Sequence, residues 1–390
     1  MSKRPDCLNG NNGQEFSWLE FPESPVLLNH YTLRPRTQNI SVAVAGEYIQ
    51  KSFKRLFLDR PSYTACYGNN EVHIHPTVNR RLTVREAARI QNFPDYWCFL
   101  GGLTSEFKQI GNAVPPTLAY GVIKTVAEFF SFETRKAISL FSGIGGLDIG
   151  AESAGLKVLG CFEIDENCVR GLQLNKEIGK RTKIHNFLQH SAIIQADLSK
   201  EHNTSANFLR KSCNDELSDV ELLIGGPPCQ AFSSAGSRKG LNDERGMLYL
   251  GYLNVLKSIR PKCFVFENVI GLKRLEKGKV LDLIVHDFSR LGYNVRVVSL
   301  NAVNFGVPQF RERVFVIGTF ESNLTLDRFE RKLSSIRTRE RSTREVLLGL
   351  PPARLAPKSH HFDEHYKNAQ DVWDLGGSVF SENQPELPLL

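Results

Sequence analysis

The chain has 390 residues, 41% of them hydrophobic, and a formal net charge of +7. This length fits one large domain with a smaller one. No apolar run is long enough to span a membrane, and the polar start lacks a secretory signal. The eight cysteines show no CxxC or CxH spacing, which excludes the common zinc motifs and favours a reducing cytoplasm. The positive charge is compatible with a polyanionic partner but does not indicate one by itself.

The first clear helix signal lies at residues 83–86, where Thr83 and Glu86 have the spacing of a capping box. Asn92-Phe93-Pro94 is expected to end this helix. We predict a tight loop over residues 109–116, followed by a helix from Thr117 to Phe129. Upstream, residues 41–45 are compatible with a strand.

Apolar runs bounded by turn residues then predict a seven-stranded sheet. The predicted strands are residues 137–141, 156–163, 191–196, 221–225, 263–266, 295–300 and 314–318. A glycine-rich loop, Gly143 to Gly146, follows the first strand and precedes a helix. Such a loop forms a cradle for a nucleotide, because glycines let the backbone approach a ligand and the helix N-terminus faces it. Glu163 lies about twenty residues beyond the first glycine, where an acid commonly binds a ribose diol.

Successive strands place reactive or aromatic side chains at their carboxyl ends: Phe141, Glu163, Asp197, Cys229 and Glu267. The carboxyl ends of parallel strands meet at one edge of a sheet, so we expect these side chains to form a single site. The loop that carries Cys229 is explained equally well by a buried structural cysteine when it is taken alone. The alignment of the other residues favours a functional one.

The C-terminal part is basic, with seven Lys or Arg against three Glu in residues 328–345. Ser342 and Glu345 form a second predicted capping box. The histidines between His360 and His365 match no familiar ligand spacing, and we predict no metal site there.

With these segments laid out, the chain resembles the DNA cytosine-C5 methyltransferases. The resemblance is carried by Phe141-Ser142-Gly143-Ile144-Gly145-Gly146, Gly226-Pro227-Pro228-Cys229-Gln230, Glu267-Asn268-Val269, Gln309-Phe310-Arg311-Glu312-Arg313, the Arg81–Arg89 segment and Gly111-Asn112-Ala113-Val114. It implies an α/β fold with a doubly wound, mixed but mostly parallel seven-stranded Rossmann-like sheet. It also implies S-adenosylmethionine as the cofactor and a smaller target-recognition domain.

The order of these motifs departs from most of the family, because the last two precede the glycine-rich one. The chain therefore resembles a circularly permuted member, in which the recognition domain is split between the two chain ends. We predict an N-terminal part of that domain at residues 1–100, the catalytic domain at 101–320 and the C-terminal part at 321–390.

The resemblance also implies the catalytic roles. Cytosine C5 is a poor nucleophile until a thiolate adds at C6, and Cys229 is the expected nucleophile. Glu267 would face N3 of the base with a raised pKa, Arg311 would hold O2, and Arg313 would order the loop. Gln230 and Asn268 complete the predicted catalytic set.

Further residues are expected to bind the cofactor or DNA. Phe141 would pack on the adenine, Glu163 would bind the ribose hydroxyls, and Asp197 would reach the adenine amino group. The remaining predicted cofactor residues are Ser142, Gly143, Gly145, Gly146, Leu147, Ile164, Leu198, Pro228, Asn112, Ala113 and Val114. The target cytosine must be flipped out of the duplex, and residues 233–245 have the composition of a lid over DNA. The DNA-binding residues predicted in this lid are Ser233, Arg238 and Lys239.

Three alternatives remain open: an RNA cytosine methyltransferase, a non-catalytic DNA-binding relative and a dinucleotide-dependent oxidoreductase. The intact catalytic motifs argue against the last two. We expect a monomeric cytoplasmic enzyme, associated with the nucleoid and acting on double-stranded DNA without a membrane partner. This fits a bacterial or archaeal restriction-modification system or an orphan enzyme, and a cognate restriction endonuclease acting on the same site is compatible with it.

Overall fold

The structure is a computed structural model that describes residues 31–32, 53–64, 72–182, 185–214, 216–228, 247–320, 326–347, 350 and 354–355. The strand predicted at 41–45 lies outside these residues. So do Cys229, Gln230, Ser233, Arg238, Lys239 and the segment from His360 to His365. Within the described part of the chain, no helix combines the length and hydropathy needed to cross a membrane.

Helices and strands alternate through most of the chain. In chain order they are β1 Tyr31–Thr32, β2 Phe53–Arg55, β3 Val72–Ile74, α1 Val84–Ile90, α2 Leu103–Asn112, α3 Pro116–Phe129, β4 Lys136–Leu140, α4 Gly146–Ser153, β5 Lys157–Glu163, α5 Glu166–Thr182, β6 Ala192–Gln195, α6 Ala206–Ser212, β7 Leu222–Gly225, α7 Met247–Ile259, β8 Cys263–Val269, α8 Lys279–Arg290, β9 Asn294–Asn301, β10 Glu312–Thr319, α9 Leu326–Ser334, α10 Thr343–Leu347 and β11 Arg354–Leu355. Short 3₁₀ turns lie at Glu201–Thr204, Ile270–Gly278 and Ala302–Phe305.

The central sheet has seven strands in the order β6-β5-β4-β7-β8-β10-β9. The pairs from β6 to β8 are parallel, whereas β10 runs antiparallel to both β8 and β9. The predicted α/β fold with a mixed, mostly parallel sheet is thus confirmed. The order reverses between β4 and β7, where Leu140 pairs with Gly225. Open α/β sheets bind their ligands at such a switch point.

Helices cover both faces of the sheet. On one face α1 to α5 and α9 pack into a large apolar core that includes Val84, Leu118 and Phe329. On the other face α6, α7 and α8 pack into a second core around Tyr252 and Phe288. This arrangement is the predicted doubly wound architecture. The first core contains residues of α1, so it extends across the boundary predicted at residue 100.

The local signals explain where several helices begin. Thr83 caps α1 as predicted: its side chain accepts the Glu86 N–H, and the Glu86 carboxylate accepts the Thr83 N–H. The tight loop predicted to begin at Gln109 is wrong for its first four residues, which form the last turn of α2. The helix ends at Asn112 because Pro115 disfavours the helical conformation of the residue before it.

Segments from the two ends of the chain meet in one small unit. Leu56, Leu82, Ile90 and Val346 share an apolar cluster. The N–H of Thr343 donates to the carbonyl of residue 60 at 2.9 Å, and that of residue 344 donates to the carbonyl of residue 58 at 2.7 Å. Strands β1 and β11 also pair in parallel. Residues far apart in sequence therefore form a common core beside α1.

Candidate active site

The loop between β4 and α4 is the first element of the site. Phe141 has a φ of +53°, a left-handed conformation that costs a non-glycine residue roughly 1–3 kcal/mol and is found mainly at functional sites. Gly143 follows with a φ of +54°, and a Cβ built on it would meet no atom within 4 Å. The loop therefore presents its backbone to open space at Gly143, where a ligand can approach.

Glu163, at the end of β5, holds this loop in place. Its carboxylate accepts the N–H groups of Gly143 at 2.8 Å and of Ile164 and Asp165 at 2.9 Å. Burial raises the pKa of Glu163, and these hydrogen bonds oppose the rise. The predicted acid thus lies directly beside the predicted glycine loop.

The Asn112–Val114 segment packs against the other side of the loop. A Cβ on Gly146 would overlap the carbonyl oxygen of Val114 and lie 3.3 Å from the Cβ of Ala113, so only glycine allows this approach. The indole Nε1 of Trp97 donates to the Ile144 carbonyl at 3.0 Å and supports the loop from the core side.

The remaining predicted cofactor residues divide into two groups. Ile164 is 56% exposed beside Glu163, and Asp197 is partly exposed at the end of β6, with Oδ1 accepting the Ser199 hydroxyl at 2.6 Å. That hydrogen bond is the main cause of a lowered pKa for Asp197. In contrast, Ser142, Leu147 and Leu198 are buried and support the loops from within.

A nucleoside cofactor fits these features. The open space at Gly143 admits a ligand, and the acids at Glu163 and Asp197 offer acceptors for hydroxyl and amino groups. The exposed Ile164 side chain offers an apolar surface for a base. S-adenosylmethionine carries all three kinds of group.

The second element of the site is a buried ion pair at the end of β8. Glu267 and Arg313 are 7% and 8% exposed, and the Arg313 Nε lies 2.9 Å from the Glu267 Oε1. Burial raises the pKa of Glu267, while Arg313 and then Arg311 oppose the rise. The carboxyl group is thus held close to a charged donor in a largely dry position.

The turn after β7 lies against this pair. A Cβ on Gly226 would stand 2.6 Å from the Glu267 Oε2, so the absence of a side chain makes room for the carboxylate. The Asn268 amide Nδ2 donates to the Pro227 carbonyl at 2.9 Å and fixes the turn to β8. Pro228 is exposed, and Cys229 is the next residue along the chain.

The two arginines of the predicted catalytic motif have different surroundings. Arg311 is fully buried, and its Nη2 donates to the carbonyls of Gly111 at 2.6 Å and Ala113 at 3.1 Å. Arg313 bonds the Glu267 carboxylate instead. These contacts favour the opposite assignment of roles from the predicted one: Arg311 orders the loops, and Arg313 lies beside the acid.

Two supporting residues were missed in the sequence. Gln91 follows α1 and Trp97 lies a turn beyond it, and both are fully buried. Their signal was the placement of a glutamine and a tryptophan on either side of the helix-ending Asn92-Phe93-Pro94. A local pattern does not reveal that Trp97 reaches the glycine loop at Ile144 or that Gln91 reaches the Ala113 carbonyl, and we call these two adjoining segments, residues 112–114 and 141–146, the cofactor loop.

The topology, the open glycine loop and the buried Glu267–Arg313 pair define a Rossmann-like enzyme that uses a nucleoside cofactor. The family model described as C-5 cytosine-specific DNA methylase matches residues 22–128 and 135–381. The chain therefore belongs to the C-5 cytosine-specific DNA methylase family, and membership implies S-adenosylmethionine as the methyl donor.

Two curated relatives agree with this membership, and one solved structure serves for comparison only. The chain is 40% identical over 192 residues to the type II methyltransferase M.AquIA of Picosynechococcus, covering 47% of this chain and 71% of that protein. It is 37% identical over 195 residues to the type II methyltransferase M.FnuDI of Fusobacterium nucleatum, covering 50% of this chain but only 49% of the relative. The solved structure of the methyltransferase EhMeth from Entamoeba histolytica shares 22% identity over 50% of this chain and 55% of its own, with a TM-score of 0.35.

Proposed function

We propose that this protein transfers a methyl group from S-adenosylmethionine to C5 of a cytosine in duplex DNA. The observation that carries the proposal is the buried Glu267–Arg313 pair, 2.9 Å apart, at the strand end next to the turn that precedes Cys229. Such a pair suits a pyrimidine ring, because a carboxyl group and a guanidinium can face ring nitrogen and carbonyl groups together. Family membership supports the same substrate.

The cofactor is proposed to bind along the carboxyl ends of β4, β5 and β6. Glu163 and Asp197 would hold its hydroxyl and amino groups, with Phe141 and Ile164 against the adenine. When bound, S-adenosylmethionine would supply an electrophilic methyl group, with S-adenosylhomocysteine as the leaving group. Asn112 to Val114 would line the methionine end.

The protein's own groups make C5 reactive. The Cys229 thiolate forms a bond to C6, and the electron pair of the C5–C6 double bond shifts towards C4 and N3. The product is an enamine in which C5 is nucleophilic. Negative charge then develops at N3, where protonated Glu267 donates a hydrogen bond or a proton. After methylation the C5 proton passes to solvent water, N3 returns any proton to Glu267, the C5–C6 double bond re-forms and the Cys229–C6 bond breaks to regenerate the thiolate.

Glu267 is suited to this role because its burial favours the neutral, donating acid. Arg313 is close enough to balance the charge when the carboxyl group loses its proton. Asn268 would keep the Pro227 turn, and thus Cys229, at a fixed distance from Glu267. Gln230 remains a predicted member of this set.

The chain ends are proposed to recognise the DNA. The small core shared by residues 53–64 and 343–347 supports a recognition unit built from both ends, as expected for a circularly permuted chain. The two stretches matched by the family model are separated by residues 129–134, which connect α3 to β4. Residues 233–245, with Ser233, Arg238 and Lys239, would close over the flipped base.

We further infer a cytoplasmic monomer that modifies DNA alone or beside a cognate restriction endonuclease.

Methyl transfer tests the proposal directly. Purified protein is incubated with tritiated S-adenosylmethionine and unmodified bacterial DNA, and modified cytosines are mapped by sequencing. We expect label in DNA at one short sequence and no label above background with Cys229→Ser. Labelling of RNA alone would contradict the substrate, and undiminished transfer by Cys229→Ser would contradict the nucleophile.

A further inference from the structure

A buried hydrogen-bond network connects α1 to the cofactor loop and to the catalytic strand. Gln91 is fully buried at the end of α1. Its Nε2 donates to the Ala113 carbonyl at 2.5 Å, and its Oε1 accepts the Nε2 of Gln309 at 2.7 Å. One amide therefore bridges two segments that lie more than a hundred residues apart in sequence.

The Ala113 carbonyl is shared between two donors. Arg311 also donates to it, through Nη2 at 3.1 Å, and to the Gly111 carbonyl at 2.6 Å. A displacement of this carbonyl therefore changes the hydrogen bonds of Gln91 and Arg311 together. The three side chains Gln91, Gln309 and Arg311 are all fully buried, so water cannot readily replace a lost partner.

One side of the network touches the proposed cofactor site. The backbone after Ala113 packs directly on Gly146, at the start of α4, with no room for a Cβ between them. The glycine loop and the peptide next to the Ala113 carbonyl are therefore in direct contact.

The other side touches the proposed base site. The Arg311 backbone is fixed at both ends: its N–H donates to the Asn301 side chain at 3.0 Å, and its carbonyl accepts the Ala302 N–H at 2.8 Å. Arg313 follows two residues later and pairs with Glu267. A change in how Arg311 is held is thus transmitted to the catalytic pair along a short, tightly bonded segment.

The recognition unit reaches the same segment. The N–H of Ser62 donates to the Pro308 carbonyl at 2.8 Å, and the N–H of Phe310 donates to the Ser62 carbonyl at 3.0 Å. Gln309 thus lies between a segment of the recognition unit and Gln91.

We propose that Gln91 is a positioning residue that couples occupancy of the cofactor loop to the placement of the base-side arginines. In consequence the cofactor and target DNA bind cooperatively. The inference rests on the proposed function for the identity of the two ligands. It goes beyond that function in assigning the coupling to one amide, which acts through the Ala113 carbonyl and Gln309.

Binding of S-adenosylhomocysteine, which cannot donate a methyl group, tests the coupling. Its Kd is measured by calorimetry with and without a duplex containing the mapped methylation site. We expect the duplex to tighten binding about fivefold or more in the native protein, within the usual range of such couplings. In Gln91→Met, which keeps the volume but removes both hydrogen bonds, the factor should fall below about twofold. The Kd for S-adenosylhomocysteine alone should change little.

Thr125→Val provides the matched control. Thr125 is fully buried in α3, and its hydroxyl donates to the Gly121 carbonyl at 2.7 Å, away from the network. This variant also loses a buried hydrogen bond, but it should retain the native coupling. Equal loss of coupling in Thr125→Val would indicate general destabilisation and overturn the proposal.

Amide hydrogen exchange measures the connection between the cofactor loop and residues 309–313 in the absence of DNA. S-adenosylhomocysteine should slow exchange at residues 309–313 in the native protein but not in Gln91→Met or Gln309→Met, which cuts the same bond from the other side. The proposal is overturned if either variant keeps the coupling and protection, if native protein shows neither, or if both variants lose S-adenosylhomocysteine binding through unfolding. Protection at 309–313 without methyl transfer to DNA would instead refute the proposed function and leave the link intact.

Discussion

The Nε of Arg313 lies 2.9 Å from the Oε1 of Glu267, and both side chains are almost fully buried. Desolvation favours the neutral carboxylic acid, while the guanidinium favours the carboxylate. In the proposed mechanism the group would both donate and accept a proton, and these opposing influences suit it to that role. A free surface carboxylate would be ionised and could not donate to a pyrimidine nitrogen at neutral pH.

Replacing Glu267 by glutamine tests this role. The amide introduced by Glu267→Gln can still accept a hydrogen bond from Arg313 but cannot transfer a proton. We expect this variant to lower kcat at least about 10²-fold, the usual contribution of general acid catalysis, with a small change in the Kd for S-adenosylhomocysteine. Single-turnover methyl transfer with excess enzyme gives the rate directly.

Glu221→Gln makes the same chemical change in a buried carboxylate at the other end of the sheet. Glu221 accepts the N–H groups of Glu133 and Arg135, at 2.9 and 2.7 Å, and its loss should lower stability only. The rate per folded molecule should match that of the native protein. If Glu267→Gln were no slower than this control, Glu267 would not act as the acid.

Gly226→Ala tests the space that the carboxyl group requires. The added Cβ would stand 2.6 Å from the Glu267 Oε2, which is too close, so the carboxyl group would have to shift from its position beside Arg313. A shift of about 1 Å in the position of the carboxyl group can lower kcat by up to about 10²-fold while the fold is retained. Gly271→Ala is the control, because its Cβ would meet only the Val269 methyl at 3.9 Å. Equal rates for the two variants would show that the Glu267 position is not critical.

The contribution of the sequence to this site was uneven. The strand end at Glu163 and the strand that carries Glu267 could be predicted because an apolar run followed by an acid is a local pattern, although β8 continues to Val269. The roles of Arg311 and Arg313 could not be predicted. The two residues are two positions apart, so a strand pattern places both side chains on the same face, and only the structure reveals their partners. Arg311 precedes β10 and turns towards α2, whereas Arg313 lies in β10 opposite Val269. Gln91 was missed because its partners are distant in sequence.

His185 should make stability depend on pH. Its ring is 8% exposed, stacks on Tyr96 with centroids 4.8 Å apart, and has no hydrogen-bond partner for either nitrogen among the described residues. Burial lowers the pKa of His185 from 6.5 to about 4. The unfolded chain therefore binds more protons at this position between these values, so the contribution of His185 to stability falls as pH drops from about 6.5 to about 4, by roughly 3 kcal/mol.

Urea unfolding between pH 4 and 7 measures this effect. His185→Phe preserves the aromatic stacking without a titrating group and should remove the part of the slope that His185 contributes, leaving that of other groups such as Glu152, whose pKa burial raises to about 8. Tyr96→Phe, which alters the ring stacked on His185 but not the histidine, should keep the slope. An unchanged slope in His185→Phe would show that other groups govern the acid sensitivity.

The order of the motifs predicts that the chain tolerates being re-permuted. A variant can begin at Glu133, run to Leu390, continue directly into Met1 and end at Phe132. The new break lies between α3 and β4, and the Glu221 carboxylate can still bind the new first residues. The pairing of β1 with β11 places residues 31–32 beside residues 354–355, so the two parts of the chain that precede and follow the joint meet in the fold. Because no strand of the main sheet is interrupted, we expect this variant to bind S-adenosylhomocysteine within about threefold of the native affinity and to methylate the same sequence.

A control that opens the chain within β8, between Val265 and Phe266, should not fold. Failure of both variants alike would show that the link between α3 and β4 is essential to the fold.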